Sequence, residues 1–473
     1  SVHVGHKGGH LYLSMYPLAY DMSLHDGIME HHFTTECLSL LTYLNGKVNP
    51  LLRLYTEPII VIRNEEILVV HLAIFNPVCC IDIPSLTFTI ETILDILDII
   101  DPSPEETTAE PSHFAIFGSV TNLIAALSIE SGHQLIANPE LINVRSLPPS
   151  MGYKMIIQIR SHSMHLMHLK PNRDLVEVAN LQSLLFKFLK PLKTSTLRFI
   201  VKTGEMKLNA PKELITLGLS YITNNKSEES EESSSETKMA FSINLSDLDI
   251  ICMDEENNSI FAVEFRNTIV EFLTGSYVGL KFRKIRLSAL DHKNILLIGH
   301  SKMPSHFYFN FGLPNKEMQF HAIAMRVFVP TYEQLAPVVQ YFIGFFPNVN
   351  QPTDRIELTK MCYSIKIPKF AVSFDLKKEL TFVTGFFAKT SGDVFNNKTK
   401  ISLSGFTLKI GNLIFVDNTA IQYISNVSWV SDSVSTVETL VNVPGMDIKL
   451  LPSHIESLIG LSKLITGIMG LLP

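Results

Sequence analysis

The sequence predicts a mainly β fold: long, bent antiparallel sheets in tandem repeats that form an open hydrophobic groove, each unit ending in a short amphipathic helix. Three observations predict it. Alternating apolar runs reach about 10 to 16 residues, against a usual five or six for a strand. The alternation slips phase in mid-run without stopping. Helix-start signals return at wide intervals along the chain. The clearest stretch is Met239 to Pro347. There Phe241, Ile243 and Leu245 share a face, and after a one-residue slip at Ser246–Asp247 the apolar set continues through Leu248, Ile250 and Cys252. A period of two puts alternate side chains on one face, and an extra residue that resets the phase predicts a β-bulge. Val278, Leu280 and Phe282, followed by Ile285, Leu287 and Ala289, repeat the pattern.

In chain order, Leu11 to Asp21 is mixed and receives no element. Phe33 to Tyr43, Leu51 to Tyr55, Ile59 to Arg63 and Ile67 to Phe75 read as strands, being rich in β-branched and aromatic residues and separated by Asn45-Gly46 and Asn64-Glu65 turns. A helix is expected from Pro84-Ser85, with Phe88, Ile90, Ile93, Leu94 and Leu97 on its apolar face and Asp101-Pro102 as its stop. Pro102 to Ser112 is a linker by composition. The stretch from Phe114 through Gly132, Leu135 and Tyr153 matches the order of Phe241, Asn257–Asn258, Ile260 and Tyr277 at an offset of about 125 residues, which reads as a repeat. A second helix is expected from Asp174, with Leu175, Val178, Leu181, Leu185 and Phe188 inward.

Strands resume at Leu197 to Val201 and Leu214 to Ile222. Asn224 to Lys238 is charged and serine-rich, buries nothing and is expected to be disordered. Beyond it, Thr331 with Gln334 and Ser453 with Glu456 form capping-box spacings, and Pro452 suits a first helical turn. A fresh alternation starts at Tyr363. The expected units are 1–101 (partial), 102–191, 192–347 with the insert 224–238, and 348–473, a quasi-linear array.

Hydrophobic residues make up 46% of the chain and mean hydropathy is +0.21. Polar residues nevertheless break every candidate membrane span, Arg63-Asn64-Glu65-Glu66 and Ser462-Lys463 among them. So much apolar character needs a large core or an apolar surface meant for another molecule. A net charge of -7 without a basic stripe argues against nucleic acid. Five cysteines without regular spacing form no disulfide framework and favour a reducing, cytosolic setting. The start at Ser1 and the apolar end at Leu471-Leu472-Pro473 fit a segment of a longer protein.

No phosphate loop, dinucleotide fingerprint, HExxH or nucleophile elbow is present, so no catalytic residue, cofactor site or metal site is assigned. Of His162, His165 and His168, a strand would turn the middle one away from the other two. Asp254–Glu255–Glu256 reads as a solvated turn. What remains is the apolar face: Phe241, Ile243, Leu245, Val263, Phe265, Val278, Leu280, Phe282, Phe307, Phe309 and Phe311, joined by Ile365, Ile367, Val372, Phe374, Ile157 and Ile159. One short helix per unit covers little of a sheet whose strands run about 40 Å, so these residues are expected to line a groove.

The stretch FSINLSDLDIICMDEENNSIFAVEF, followed by GSYVGLKFRKIRLSALD and the capped TYEQLAPVVQYF, resembles the repeating β-groove segments of the chorein-type, bridge-like lipid transfer proteins. The unit opening HFAIFGSVTNLIAALSIESGHQLIANPEL shares the order sheet, polar turn, sheet, helix but lacks the Leu-x-Ala-Leu-Asp copy. The amino-terminal chorein motif is not visible. The resemblance implies bulk transfer of glycerophospholipids along the groove between organelle membranes at contact sites. It also implies a cytoplasmic, peripheral location, with further segments of a longer chain or adaptor proteins as partners. The alternatives are a closed carrier of one or a few lipids and a structural β-rich scaffold with an ordinary core. Under the groove reading, Phe265→Asp or Phe282→Asp leaves a folded protein that no longer transfers lipid. Under the scaffold reading either change destroys folding.

Overall fold

The computed structural model describes residues 2–92, 113–216, 238–343, 361–443, 445 and 452–469. Within these it leaves out the short connections 7–8, 26–27, 45–46, 57–58, 64–66, 82–84, 86–87, 90–91, 130–131, 148–152, 192–195, 255, 290–293, 301, 313–315, 377, 393–395 and 431–432. Among the described residues the chain is mainly β, with parallel and antiparallel pairing and few helices. It divides into two compact units, Ser1–Lys207 and Leu208–Pro473, a division that falls inside the expected 192–347 segment.

In the first unit, β1 (Val2–His6), β2 (Gly9–His25) and β3 (Ile28–Leu44) are antiparallel neighbours. β4 (Lys47–Thr56) and β5 (Ile59–Arg63) both pair β3 on one side and β6 (Ile67–Ile81) on the other. β7 (His113–Thr121) and β8 (Ile124–Ser128) then run parallel to β6. β9 (Gln134–Leu147), β10 (Tyr153–Leu169) and β11 (Leu175–Pro191) restore antiparallel pairing. β12 (Leu197–Pro211) lies beside β11, where Gln182 Nε2 donates to Glu205 at 2.8 Å and the Phe199 ring meets Phe186 and Phe188.

The second unit also combines antiparallel runs with parallel pairings. β13 (Met239–Met253) pairs β14 (Ser259–Leu273), which pairs both β15 (Tyr277–Phe282) and β16 (Lys284–Ala289). β16 pairs β17 (Asn294–Gly299) and β15 pairs β18 (Ser305–Asn310). β19 (Lys316–His321) and β20 (Ala324–Val329) follow, and β21 (Met361–Phe374) runs parallel to both. β22 (Leu380–Gly392), β23 (Asn396–Ile410), β24 (Leu413–Val430) and β25 (Ser433–Asn442) complete an antiparallel run. Helix α1 (Tyr332–Ile343) stands between β20 and β21, and α2 (Pro452–Met469) follows β25.

The predicted slip at Ser246–Asp247 exists, but it does not shift the register. Leu245 faces Thr268, Asp247 faces Arg266 and Leu248 faces Phe265, so Ser246 and Asn267 drop out of the ladder together. Asn267 has a positive φ of 49°. Across the next pairing Arg283 separates β15 from β16, its N–H donating to Arg266 O at 3.1 Å, and Gly299 with φ 101° follows. The first unit does the same. Asn76 (φ 45°) and Asn122 (φ 55°) hydrogen-bond side chain to side chain at 3.1 Å, and Ser163 (φ 43°) leaves the β10 ladder opposite Gln182. Interruptions therefore line up across neighbouring strands. Gly and Asn are the residues that accept such dihedrals most cheaply, an advantage that Ser163 lacks.

Other expectations are corrected. The helix expected at Asp174 is strand β11, paired along its length with β10. Its apolar phase runs Ala179 and Leu181, then Leu184, Phe186 and Phe188, because Gln182 drops out of the ladder. A slipped strand alternation mimics helical spacing across the slip. Residues 212–216, expected as strand, are helical, and 217–222 lie outside the described residues. Leu11 to Asp21 belongs to β2. Ser85, Phe88, Thr89 and Thr92 are helical, with Thr89 and Thr92 hydroxyls donating to the carbonyls of Ser85 and Phe88 at 2.7 Å. Ile90, Ile93, Leu94, Leu97, the Asp101-Pro102 stop, the linker 102–112 and residues 224–237 of the insert lie outside the described residues.

Candidate functional site

Alternation and register together build long apolar rows in the second unit. Ile243 faces Val270, and the row continues through Leu280, Phe307, Phe320, Ile365, Ala388, Ile401 and Tyr423 to Val441. It crosses ten strands, about 43 Å at the usual strand spacing. Beyond the slip a second row runs from Ile250 through Val263, Leu287, Leu296, Val327, Val372, Phe382 and Leu408 to Val416. Phe241, Phe272, Val278 and Phe309 form a third. Had β13 slipped alone, Leu248, Ile250 and Cys252 would meet the polar positions of β14. Because the neighbours slip with it, apolar meets apolar on both sides of the interruption.

The opposite face is charged. Arg266 reaches Asp249, Asp247 at 3.7 Å and Glu264 at 3.3 Å, while Arg286 reaches Glu264 at 3.0 Å and Lys281 reaches Glu271 at 3.3 Å. Those carboxylates raise the Arg266 guanidinium above its ordinary value, against the opposing effect of burial.

Most of the predicted lining lies half-buried: Phe241, Ile243, Leu245, Phe265, Val278, Leu280, Phe307, Phe309, Phe311, Ile365 and Phe374. Three residues do not. Phe282 is 1% exposed, Ile367 4% and Val372 7%, so they lie within the packed layer and not on a surface that a ligand touches. Val263 packs against a closed core at one end of the sheet, where Cys252, Phe261, Ala289 and Ile295 meet Val338 and Tyr341 of α1. The Phe261 and Tyr341 rings meet edge-on at 5.1 Å. Burial pushes the Cys252 thiol up to about 11 and raises the Tyr341 hydroxyl likewise. The sequence reading did not single out Val270, Phe272, Phe320 and Ile401, which occupy the same rows and carry the same period-two signal.

In the first unit Ile157 faces Phe188 and Ile159 faces Phe186, both half-buried, and Val144 joins the second pair. The slip at Ser163 alters the histidine reading. His165 turns to the polar side and meets Glu177 at 2.9 Å, whereas His168 is fully buried against His133 at 2.9 Å. Among the described residues no three His, Cys, Asp or Glu side chains converge on one point, and no helix is long and apolar enough to cross a membrane.

No protein-family model matches the chain. No curated protein matches it either. Among solved structures, the sex pheromone precursor from Lactobacillus salivarius aligns over 53% of this chain and 68% of its own, at 9% identity and a TM-score of 0.07. At that score the likeness carries no argument.

Proposed function

We propose that this protein binds glycerophospholipids on its apolar sheet face and lets them move along it between organelle membranes, as a segment of the chorein-type, bridge-like lipid transfer kind. The observation that supports this most is the row from Ile243 to Val441, apolar at every one of its positions and at least partly exposed at all but the buried Ala388. Removing two acyl chains of some 30 methylenes from a bilayer forfeits about 25 kcal/mol at about 0.8 kcal/mol each. A groove has to return most of that without a deep local minimum. Interchangeable Ile, Leu, Phe and Val along a row provide a level floor, because burial is non-directional and scales with area. Runs of antiparallel strands closed by a parallel pair, at β6 with β7–β8 and at β19–β20 with β21, suit groove units that meet near 101–102 and 347–348, whereas the proposed limit at 191–192 has no such join. The proposed setting is cytoplasmic and peripheral, at membrane contact sites, with adaptors or further chain as partners.

The scaffold reading has one observation in its favour, the closed core beneath α1. Native mass spectrometry of the purified chain separates the readings. Several phospholipids per chain support the groove, a single stoichiometric lipid supports a closed carrier, and a lipid-free wild type sinks both. Leu280→Asp with Phe307→Asp, neighbours on the half-buried row, is expected to keep the far-ultraviolet spectrum and lose at least tenfold in bound lipid.

A further inference from the structure

The polar side of the first unit carries a feature that lipid transfer does not use. His71, Phe117, Arg145, Gln158 and Lys187 face one another in register across β6, β7, β9, β10 and β11. Ser119, Asn143 and Arg160 form the adjoining row. Between these rows lies a cavity of about 310 Å³ whose walls include His71, Phe117, Ser119, Asn143 and Arg145. A smaller recess of about 60 Å³ continues it to Gln158 and Arg160, sharing Asn143 and Arg145. Among the described residues no carboxylate lines either space.

Arg145 and Arg160 are exposed and, among the described residues, neither has an ion-pair partner. That contrasts with Arg266 and Arg286 of the second unit, which carboxylates engage. Arg145 and Arg160 are diagonal neighbours on one face, about 7–8 Å apart at the backbone, within the reach of two guanidinium groups converging on one anion. The His71 and Phe117 rings stack beside them at 5.4 Å and 18°, a flat apolar platform for the carbon part of a ligand.

We propose that this depression is a binding site for a phosphate monoester. Arg145 and Arg160 donate in forked pairs to the phosphate oxygens, and the Asn143 amide and Ser119 hydroxyl supply neutral donors. Two forks converging from different strands suit a tetrahedral group with three acceptor oxygens better than a carboxylate with two. The same chemistry is offered by a free phosphate ester and by the headgroup of phosphatidic acid.

Calorimetric titration of the whole chain with glycerol 3-phosphate tests the site, alongside flotation with phosphatidylcholine vesicles with and without phosphatidic acid. Glycerol 3-phosphate is expected to bind, and Arg145→Gln or Arg160→Gln to weaken it about tenfold each. Both side chains are exposed, so an unchanged thermal midpoint shows that the variants fold. Vesicle capture that needs phosphatidic acid and is competed by glycerol 3-phosphate assigns the headgroup as the source. Binding of the soluble ester without vesicle capture assigns the free phosphate. Absence of binding by either probe, binding no tighter than that of chloride, or full binding by the double variant overturns the site.

Discussion

Phe282 is the position at which sequence and structure give opposite forecasts. It lies on an alternating apolar face, and a groove made of that face tolerates an aspartate there. In the folded chain it is 1% exposed, faces the fully buried Ser305 and stands one residue before Arg283, where β15 gives way to β16. Phe309, on the same strand pair, remains half-buried. Truncating a fully buried Phe to Ala removes its transfer free energy and leaves a cavity that the kinked backbone closes only partly, about 3–5 kcal/mol. Phe309→Ala loses only its buried portion and opens onto solvent, about 1–2 kcal/mol. At about 2–4 °C per kcal/mol for a unit of this size, Phe282→Ala is expected to lower the midpoint by about 6–20 °C and Phe309→Ala by about 2–8 °C. Differential scanning calorimetry of the whole chain, with hydrogen exchange at the β15 amides to place the loss, reads both. Lipid content is expected to move the other way, falling for Phe309→Ala at temperatures where both proteins are folded. Equal midpoint shifts, or greater lipid loss from folded Phe282→Ala, would refute the division into packed layer and open strip.

Three further outcomes are expected. Gly299→Ala places a Cβ 2.2 Å from the Arg283 carbonyl oxygen at a φ of 101° and should cost about 2–3 kcal/mol in urea unfolding, whereas Gly411→Ala, at φ 59° with open space around it, should cost about 1 kcal/mol or less. Arg266→Met leaves Asp247, Asp249 and Glu264 without their shared cation. With the Arg266 side chain 28% exposed, solvent screening holds the loss to about 1 kcal/mol, shrinking with added salt in the same unfolding assay. Burial, then His306 and Lys366, hold His321 below the ordinary imidazole value. The unfolded chain therefore takes up that proton first as pH falls. The neutral fold keeps its full stability above about pH 6.5 and loses it as pH falls through the lower folded value. His321→Gln should flatten that part of a midpoint-against-pH curve, and an unchanged slope would assign the effect to other groups.

The sequence made the strands legible wherever one face is apolar and the other polar. Ile59 to Arg63 matches β5 residue for residue, and the runs around Phe241, Val263 and Leu280 lie in β13, β14 and β15–β16. Helix α1 was legible because Thr331 marks its start, its carbonyl accepting from the Gln334 and Leu335 N–H groups. β11 was not. Val178, Leu181 and Leu185 are spaced as on a helix, and nothing local reveals that Gln182 has left a ladder. Burial at single positions was equally hidden. Alternation says which face Phe282 and Phe309 occupy, but the depth of each depends on strands and helices far along the chain.

The aligned slips tie these observations together. A bulge in one strand normally shifts its register, and a shift of one residue turns every later side chain to the other face of the sheet. Here Ser246, Asn267 and Arg283 interrupt adjacent strands at the same level, and each pairing resumes in its old register beyond them. A single strand could not have acquired its slip alone, because Leu248, Ile250 and Cys252 would then have been driven against Glu264 and Arg266. The interruptions depend on one another, and together they keep apolar residues opposite apolar residues on both sides of the slip. Helix α1 packs against only one end of that apolar side. On the lipid-binding reading proposed above, extended hydrocarbon chains occupy the remainder, and the register kept across Asn267 and Arg283 supports that reading more than the apolar content of the chain does.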